Sequence, residues 1–244
     1  MSKLLGCMLV GTLMAGAAQA EIVTLDYTAV VTQTLFRDTE TAERSVNRIL
    51  LPDGSALSRT QTVRGTFTFD TATPLTLTAG TPTQPALATG QMQVVSGTGL
   101  NTASLRVNET GYALARGRGE GPYAIGFTVA DSQPGSGADR FEVLLGTISD
   151  TATEDIALKL SQANGSLWSS TAFPTRFNLD ALSSATLSYT YYEPISSRIH
   201  RWSSFDAKVT GLTQRITPVP EPTTYLMLGV GLLAVGAAAR RRKA

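Results

Sequence analysis

The chain has 244 residues, 42% hydrophobic and only 16% charged, with 20 Lys and Arg against 19 Asp and Glu. That length is enough for one sizeable core, and so low a charged fraction excludes a charge-driven disordered chain. A formal net charge of +1 lacks the basic excess of a nucleic-acid binder, and one Cys with one His removes most thiol, zinc and imidazole chemistry.

The chain order begins with an export signal. Lys3 gives a positive start, Leu4 to Ala15 is an apolar stretch, and Ala18-Gln19-Ala20 places small residues where signal peptidase inspects them. Cleavage is expected between Ala20 and Glu21. The stretch is short for a span of ~20 apolar residues. No twin Arg precedes it, so the Sec translocon and signal peptidase are the expected partners. Leu4-Leu5-Gly6-Cys7 resembles a lipoprotein box, but processing there would leave almost no apolar stretch after Lys3. With cleavage after Ala20 the mature chain has no cysteine, and its stability must come from its core.

Residues 21–217 read as strands separated by turn residues. Ile22 to Phe36 alternates in part, with Val23, Leu25 and Tyr27 against Thr24, Asp26 and Thr28. Arg59 to Asp70 is clearer: Thr62, Arg64, Thr66 and Thr68 oppose Val63, Gly65, Phe67 and Phe69. Thr39 to Arg48 has charges at helix-like spacing and predicts a short surface helix or an irregular insertion. Ala79 to Thr89 and Arg116 to Pro122 read as loops by their Gly and Pro. Further strands are expected at 91–95, 103–108, 123–131, 140–145, 156–161, 186–192 and 204–212. Such short strands at regular spacing predict an all-β fold, a single antiparallel β-sandwich or jelly-roll-like ectodomain.

Chemistry in this body is sparse. Without Lys3, Glu221 and the terminal basic residues it holds 15 Lys and Arg against 18 Asp and Glu, a charge of −3. There is no Gly-x-Ser-x-Gly, and His200 is the only histidine. Gly117-Arg118-Gly119-Glu120-Gly121 has no strand–turn–helix context to hold a phosphate. Asp131 to Asp139, and Asp150 with Glu154 and Asp155, could offer oxygens to Ca²⁺ but lack EF-hand order, so solvated turn carboxylates are the ordinary expectation. No catalytic residue, metal or cofactor is expected. The aromatics are more informative. Alternation puts Leu187, Tyr189 and Tyr191 on one face and Tyr192 on the other. Trp168, Tyr189, Tyr192 and Trp202 are the candidates for stacking sugar rings, with core filling as the competing expectation.

The tail has three parts: Val219-Pro220-Glu221-Pro222, then Thr223 to Ala239 without a charge, then Arg240-Arg241-Arg242-Lys243. A helix over 223–239 would be ~25 Å long, just short of the hydrocarbon core of a bilayer. The basic cluster would stay cytoplasmic and place residues 21–217 outside. This arrangement resembles the PEP-CTERM sorting signal of Gram-negative bacteria, over residues 219–244. Val63 to Asp70, Ser169 to Leu187 and Phe205 to Leu212 resemble in rhythm the strands of many PEP-CTERM ectodomains. The resemblance implies recognition by an exosortase, cleavage near the motif, and a setting rich in exopolysaccharide and biofilm.

Three units are therefore expected: signal peptide 1–20, β-sandwich ectodomain 21–217, and sorting signal 218–244. The expected protein is a non-enzymatic envelope or matrix component, anchored in the inner membrane before processing. A carbohydrate-binding module for exopolysaccharide is the alternative, and a glycan hydrolase comes third because two carboxylates suffice for that chemistry.

Overall fold

A computed structural model describes residues 21–39, 41–71, 76–78, 86–94, 102–107, 110–112, 123–131, 138–148, 152–163, 176–196, 199–218 and 231. Among them run β1 (Glu21–Asp38), β2 (Arg44–Ser45), β3 (Arg48–Leu50), β4 (Ala56–Ser58), β5 (Thr62–Asp70), β6 (Thr76–Thr78) and β7 (Ala86–Val94). They continue with β8 (Thr102–Val107), β9 (Thr110–Tyr112), β10 (Tyr123–Asp131), β11 (Asp139–Ile148), β12 (Thr153–Gln162), β13 (Ser184–Pro194) and β14 (His200–Pro218). Twelve strands make one antiparallel sheet in the order β6-β7-β10-β11-β12-β13-β14-β1-β5-β8-β9, with β2 beside β1. β3 and β4 form a separate hairpin.

The period-2 pattern decides which face is inside. Along β1, Val23, Leu25, Tyr27, Ala29 and Val31 are buried while their neighbours point outward. Two register slips against β14 would turn this face over if nothing compensated. Each slip instead adds one extra residue, Thr210 on β14 and Thr32 on β1, so Val31 and Thr34 both remain inside. The hydroxyl of Thr32 donates to the Asp206 carbonyl at 3.0 Å and that of Thr210 to the Thr28 carbonyl at 3.4 Å. The bulges are thus tied to the opposite strand.

The sheet curls over its own inner face. β5 and β11 are five places apart in the strand order, which would be about 24 Å in a flat sheet at ~4.8 Å per strand. Yet the rings of Phe69 on β5 and Phe141 on β11 have centroids 5.6 Å apart. Phe177 lies 5.0 Å from Phe141 on the other side, held by its backbone N–H donating to Gln214 Oε1 at 3.0 Å. Ile156, Leu158, Leu160, Leu187, Phe205 and Val209 complete the core between these layers.

Three expectations are corrected. Of the two expectations for Thr39 to Arg48 the short helix is the one overturned: the described residues there hold β2, the first residue of β3 and otherwise irregular backbone, with no helix. Its charges have no apolar helical face, and Val46 is drawn beside β1: its N–H donates to the Thr34 carbonyl at 3.0 Å and its carbonyl accepts from Thr34 Oγ1 at 2.5 Å. Residues 86–89, expected in a loop, belong to β7, which pairs with β10. Within the stretch expected as a late strand pair, Leu179–Ala181 is a 3₁₀ turn capped by Asn178, whose side chain accepts from the Asp180 N–H.

Among the described residues no helix is long and apolar enough to cross a membrane. The expected signal peptide lies outside the described residues, as does the expected span 223–239 apart from residue 231.

Candidate functional site

The most organised set of exposed side chains lies on the outer face of β13, β14 and β1. Pairing aligns Tyr192 with Trp202, Trp202 with Arg37, and Pro194 with His200. All of these share the face opposite to Tyr189 and Phe205. The Tyr192 and Trp202 rings are 5.1 Å apart and tilted by 45°. His200 lies 5.6 Å from Tyr192, nearly parallel at 22°, and 6.1 Å from Trp202.

Each ring is half-buried, so part of each lies against solvent while its base is fixed by the sheet. Tyr192 Oη and His200 Nδ1 are 2.7 Å apart, which locks these two rings to each other. Arg37 Cζ lies 4.9 Å from the Trp202 ring centroid, a cation–π contact worth about 0.5–1 kcal/mol at such a site. His200 is held from its backbone too, donating its N–H to Thr39 Oγ1 at 2.6 Å. Rings restrained in this way lose little conformational freedom when a ligand lands on them.

Polar groups flank the strip. Asp155, Thr190, Ser204 and Leu35 form the next outward row by register, ~7 Å away. Burial pushes the Asp155 carboxyl above its ordinary value of 3.8. The folded state therefore holds the Asp155 proton more tightly than the unfolded chain does. Its contribution to stability is largest at low pH and is lost as pH rises from about 3.8 through the folded value. Asp155→Asn is expected to raise the melting temperature at pH 7. The gain should fade as pH is brought below the ordinary carboxylate range, which melts recorded across acid pH would show.

The sequence candidates fall in different places. Tyr192 and Trp202 are brought together as expected for a stacking face. Tyr189 is not on that face: it is 1% exposed, stacks on Phe205 at 5.2 Å and donates its hydroxyl to the buried Glu154 carboxylate at 2.6 Å. It is core, because its register partners Ile156 and Phe205 are core. Trp168 lies outside the described residues. So do Ala18, Ala20, the motif Val219 to Pro222 and the basic cluster Arg240 to Lys243. Glu21 is the first residue of β1, and its N–H donates to Thr71 Oγ1 at 3.0 Å. His200 and Arg37 were not picked out for this face. Counting residues outward from Trp202 on alternating strands would have placed His200 beside it, but Arg37 depends on a register that sequence does not set.

Other chemistry is less developed. Burial, and then the neighbouring Asp139 charge, raise the Asp131 carboxyl above its ordinary value. Even so, no group of three or more His, Cys, Asp or Glu among the described residues is placed to hold a metal ion. Tyr191, on the inner face, has its phenol pushed up first by burial and then by the Glu193 and Glu154 charges.

No curated protein and no solved structure matches this chain. Among protein families, the PEP-CTERM protein-sorting motif matches residues 218–243. This stretch opens where β14 ends, at Pro218, and takes in Val219-Pro220-Glu221-Pro222, the uncharged run and the basic cluster. The chain carries a PEP-CTERM protein-sorting motif, the mark of an exported protein addressed to an exosortase.

Proposed function

We propose that this is a non-enzymatic matrix protein that is clipped by an exosortase near Pro222 and holds extracellular polysaccharide on the Tyr192–His200–Trp202 strip. The strip is the observation that supports this reading: three rings within 5.1–6.1 Å on one outer face. A sugar ring offers an apolar C–H face rimmed by hydroxyls. Fixed aromatic surfaces suit the first, and Asp155, Thr190 and Ser204 suit the second. On this reading the curled sheet is the two-layered sandwich of an ectodomain over residues 21–217. Residues 223–239 span the inner membrane until cleavage, with Arg240 to Lys243 on the cytoplasmic side. The body then passes to the envelope or the exopolysaccharide of a biofilm.

Affinity electrophoresis of the full chain through gels containing a soluble neutral glucan tests the binding. Trp202→Ala and Tyr192→Ala are each expected to weaken retention about tenfold, the 1.4 kcal/mol of one good aromatic contact. Unchanged retention with Tyr192, His200 and Trp202 all replaced by Ala would overturn it. For processing, the intact mass of secreted protein should end near Pro222. Secreted protein still carrying Arg240 to Lys243 would defeat that part.

A further inference from the structure

The inner face changes character towards the start of β14. Phe205 is core, Ser203 is polar yet only 5% exposed, and Arg201 is open to solvent. Pairing sets Ser203 between Phe36 on β1 and Tyr191 on β13, and sets Arg201 opposite Glu193. The β3–β4 hairpin lies over this end. It sinks Ile49 and Leu51 into the core and leaves Leu50 58% exposed. Between hairpin and sheet is an open groove of about 520 Å³, within the size range of small-ligand sites.

Phe36, Leu50 and Leu51 give it apolar walls, while Tyr191 and Ser203 line it from the sheet. Among the described residues neither the Ser203 hydroxyl nor the Tyr191 phenol makes a hydrogen bond. For Ser203 this is costly, since a hydroxyl so buried has given up most of its water and gained no partner. Glu193 and Arg201 also line the groove and meet at 3.7 Å. That is too long for a hydrogen bond, so each keeps capacity for another partner. Burial, and then the Glu193 and Glu154 charges, push the Tyr191 phenol up. The phenol thus stays a donor, and the same carboxylates disfavour an anion beside it.

The group that suits these residues is neutral, both accepts and donates hydrogen bonds, and carries a small apolar part. An acetamido group has all three. Its carbonyl can accept from the Tyr191 phenol, its N–H can donate to Ser203 Oγ, and its methyl suits the apolar walls. Hydroxyls of an attached sugar suit the loose Glu193–Arg201 pair. We propose that this groove binds the acetamido group of an N-acetylated amino sugar, at a site on the opposite face of the sheet from the aromatic strip. The proposal rests on the proposed function only for the class of polymer.

Calorimetric titration of the full chain in detergent tests this with three probes. They are fully N-acetylated chitotetraose, cellotetraose with a hydroxyl in place of each acetamido group, and a capped tetra-alanine peptide. Chitotetraose should bind at least about tenfold tighter than cellotetraose. Ser203→Ala and Tyr191→Phe should each lower its affinity about fivefold and leave cellotetraose binding unchanged. Without ligand their melting temperatures should hold or rise, since each substitution removes a hydroxyl that has no partner. Trp202→Ala should leave the preference for chitotetraose intact, so failure of the aromatic strip and failure of this groove are distinguishable. Equal affinity for cellotetraose, peptide binding as tight as chitotetraose, or wild-type affinity in both hydroxyl variants would each overturn the proposal. So would a fall in either melting temperature, because the hydroxyl would then already be paired.

Discussion

Gly65→Ala is expected to abolish folding of the β domain. Gly65 sits on the inner face of β5 opposite Tyr27, and the space a side chain would need is already occupied. An added Cβ would lie 1.8 Å from the Ser104 carbonyl oxygen, 2.7 Å from its carbon and 2.5 Å from the Tyr27 hydroxyl. Two of these atoms are backbone of β8, so no rotamer change relieves the clash. The Tyr27 ring crosses the gap left by Gly65 and donates its hydroxyl to the Ser104 carbonyl at 2.7 Å. Burial accordingly pushes the Tyr27 phenol far above its ordinary value.

Overpacking costs about 1–3 kcal/mol where side chains can shift and more where backbone itself must move, and here β8 would have to leave β5, against the ~5–15 kcal/mol that holds a domain together. Circular dichroism melts should show no cooperative transition. Tyr27→Phe, which removes only the hydroxyl, should cost about 1–3 kcal/mol and still fold. Adding Tyr27→Phe to Gly65→Ala should not restore the transition, because the backbone collision persists. Restoration would place the conflict in the tyrosine side chain.

Phe141→Ala should be the most damaging truncation of a core side chain, at about 3–5 kcal/mol by the usual cost of emptying a phenylalanine site. The reason is its position rather than its size. Phe141 is fully buried and touches Phe69 from β5 and Phe177 from the segment before the 3₁₀ turn. It thus joins strands that no backbone hydrogen bond connects. Urea unfolding should show a lower midpoint, and a double-mutant cycle with Phe69→Ala should return a coupling of about 0.5–1.5 kcal/mol. A coupling near zero would mean that β5 and β11 do not face each other across the core.

The strands were legible where alternation was clean. Val63, Phe67 and Phe69 against Arg64, Thr66 and Thr68 told both the strand and its buried face, because a half-buried strand has only one way to satisfy that pattern. That Tyr189 and Tyr192 take opposite faces followed from the same rule, but which of the two is inward did not. The β3–β4 hairpin was missed although Pro52-Asp53-Gly54 is a turn signature. Gly54 takes a positive φ of 83° there, and Asp53 accepts from the Ser55 N–H at 2.9 Å. β14 was expected to be much shorter. Gly211 and the polar run Thr213 to Thr217 interrupt its apolar pattern, and only pairing with β1 carries it on to Pro218.

Of the aromatic strip, sequence reached Tyr192 and Trp202 and wrongly added Tyr189. It could not reach Arg37, which is 165 positions from Trp202 and meets it only through the β1–β14 register. Neither the curl of the sheet nor the order of its strands is written in a local period. Those depend on which distant apolar faces find each other.

One pairing governs how the molecule is presented. Glu21 stands opposite Pro218, so the first residue of the domain's first strand and the last of its final strand emerge side by side. The sorting motif begins at that point, and whatever grips the motif grips the domain by one tip. From there β1 and β14 run together through the middle of the sheet to Arg37 and Trp202, roughly 50 Å away at ~3.3 Å per residue. The aromatic strip lies at the far end, so a domain held this way carries its Tyr192, His200 and Trp202 rings away from the point at which the motif begins.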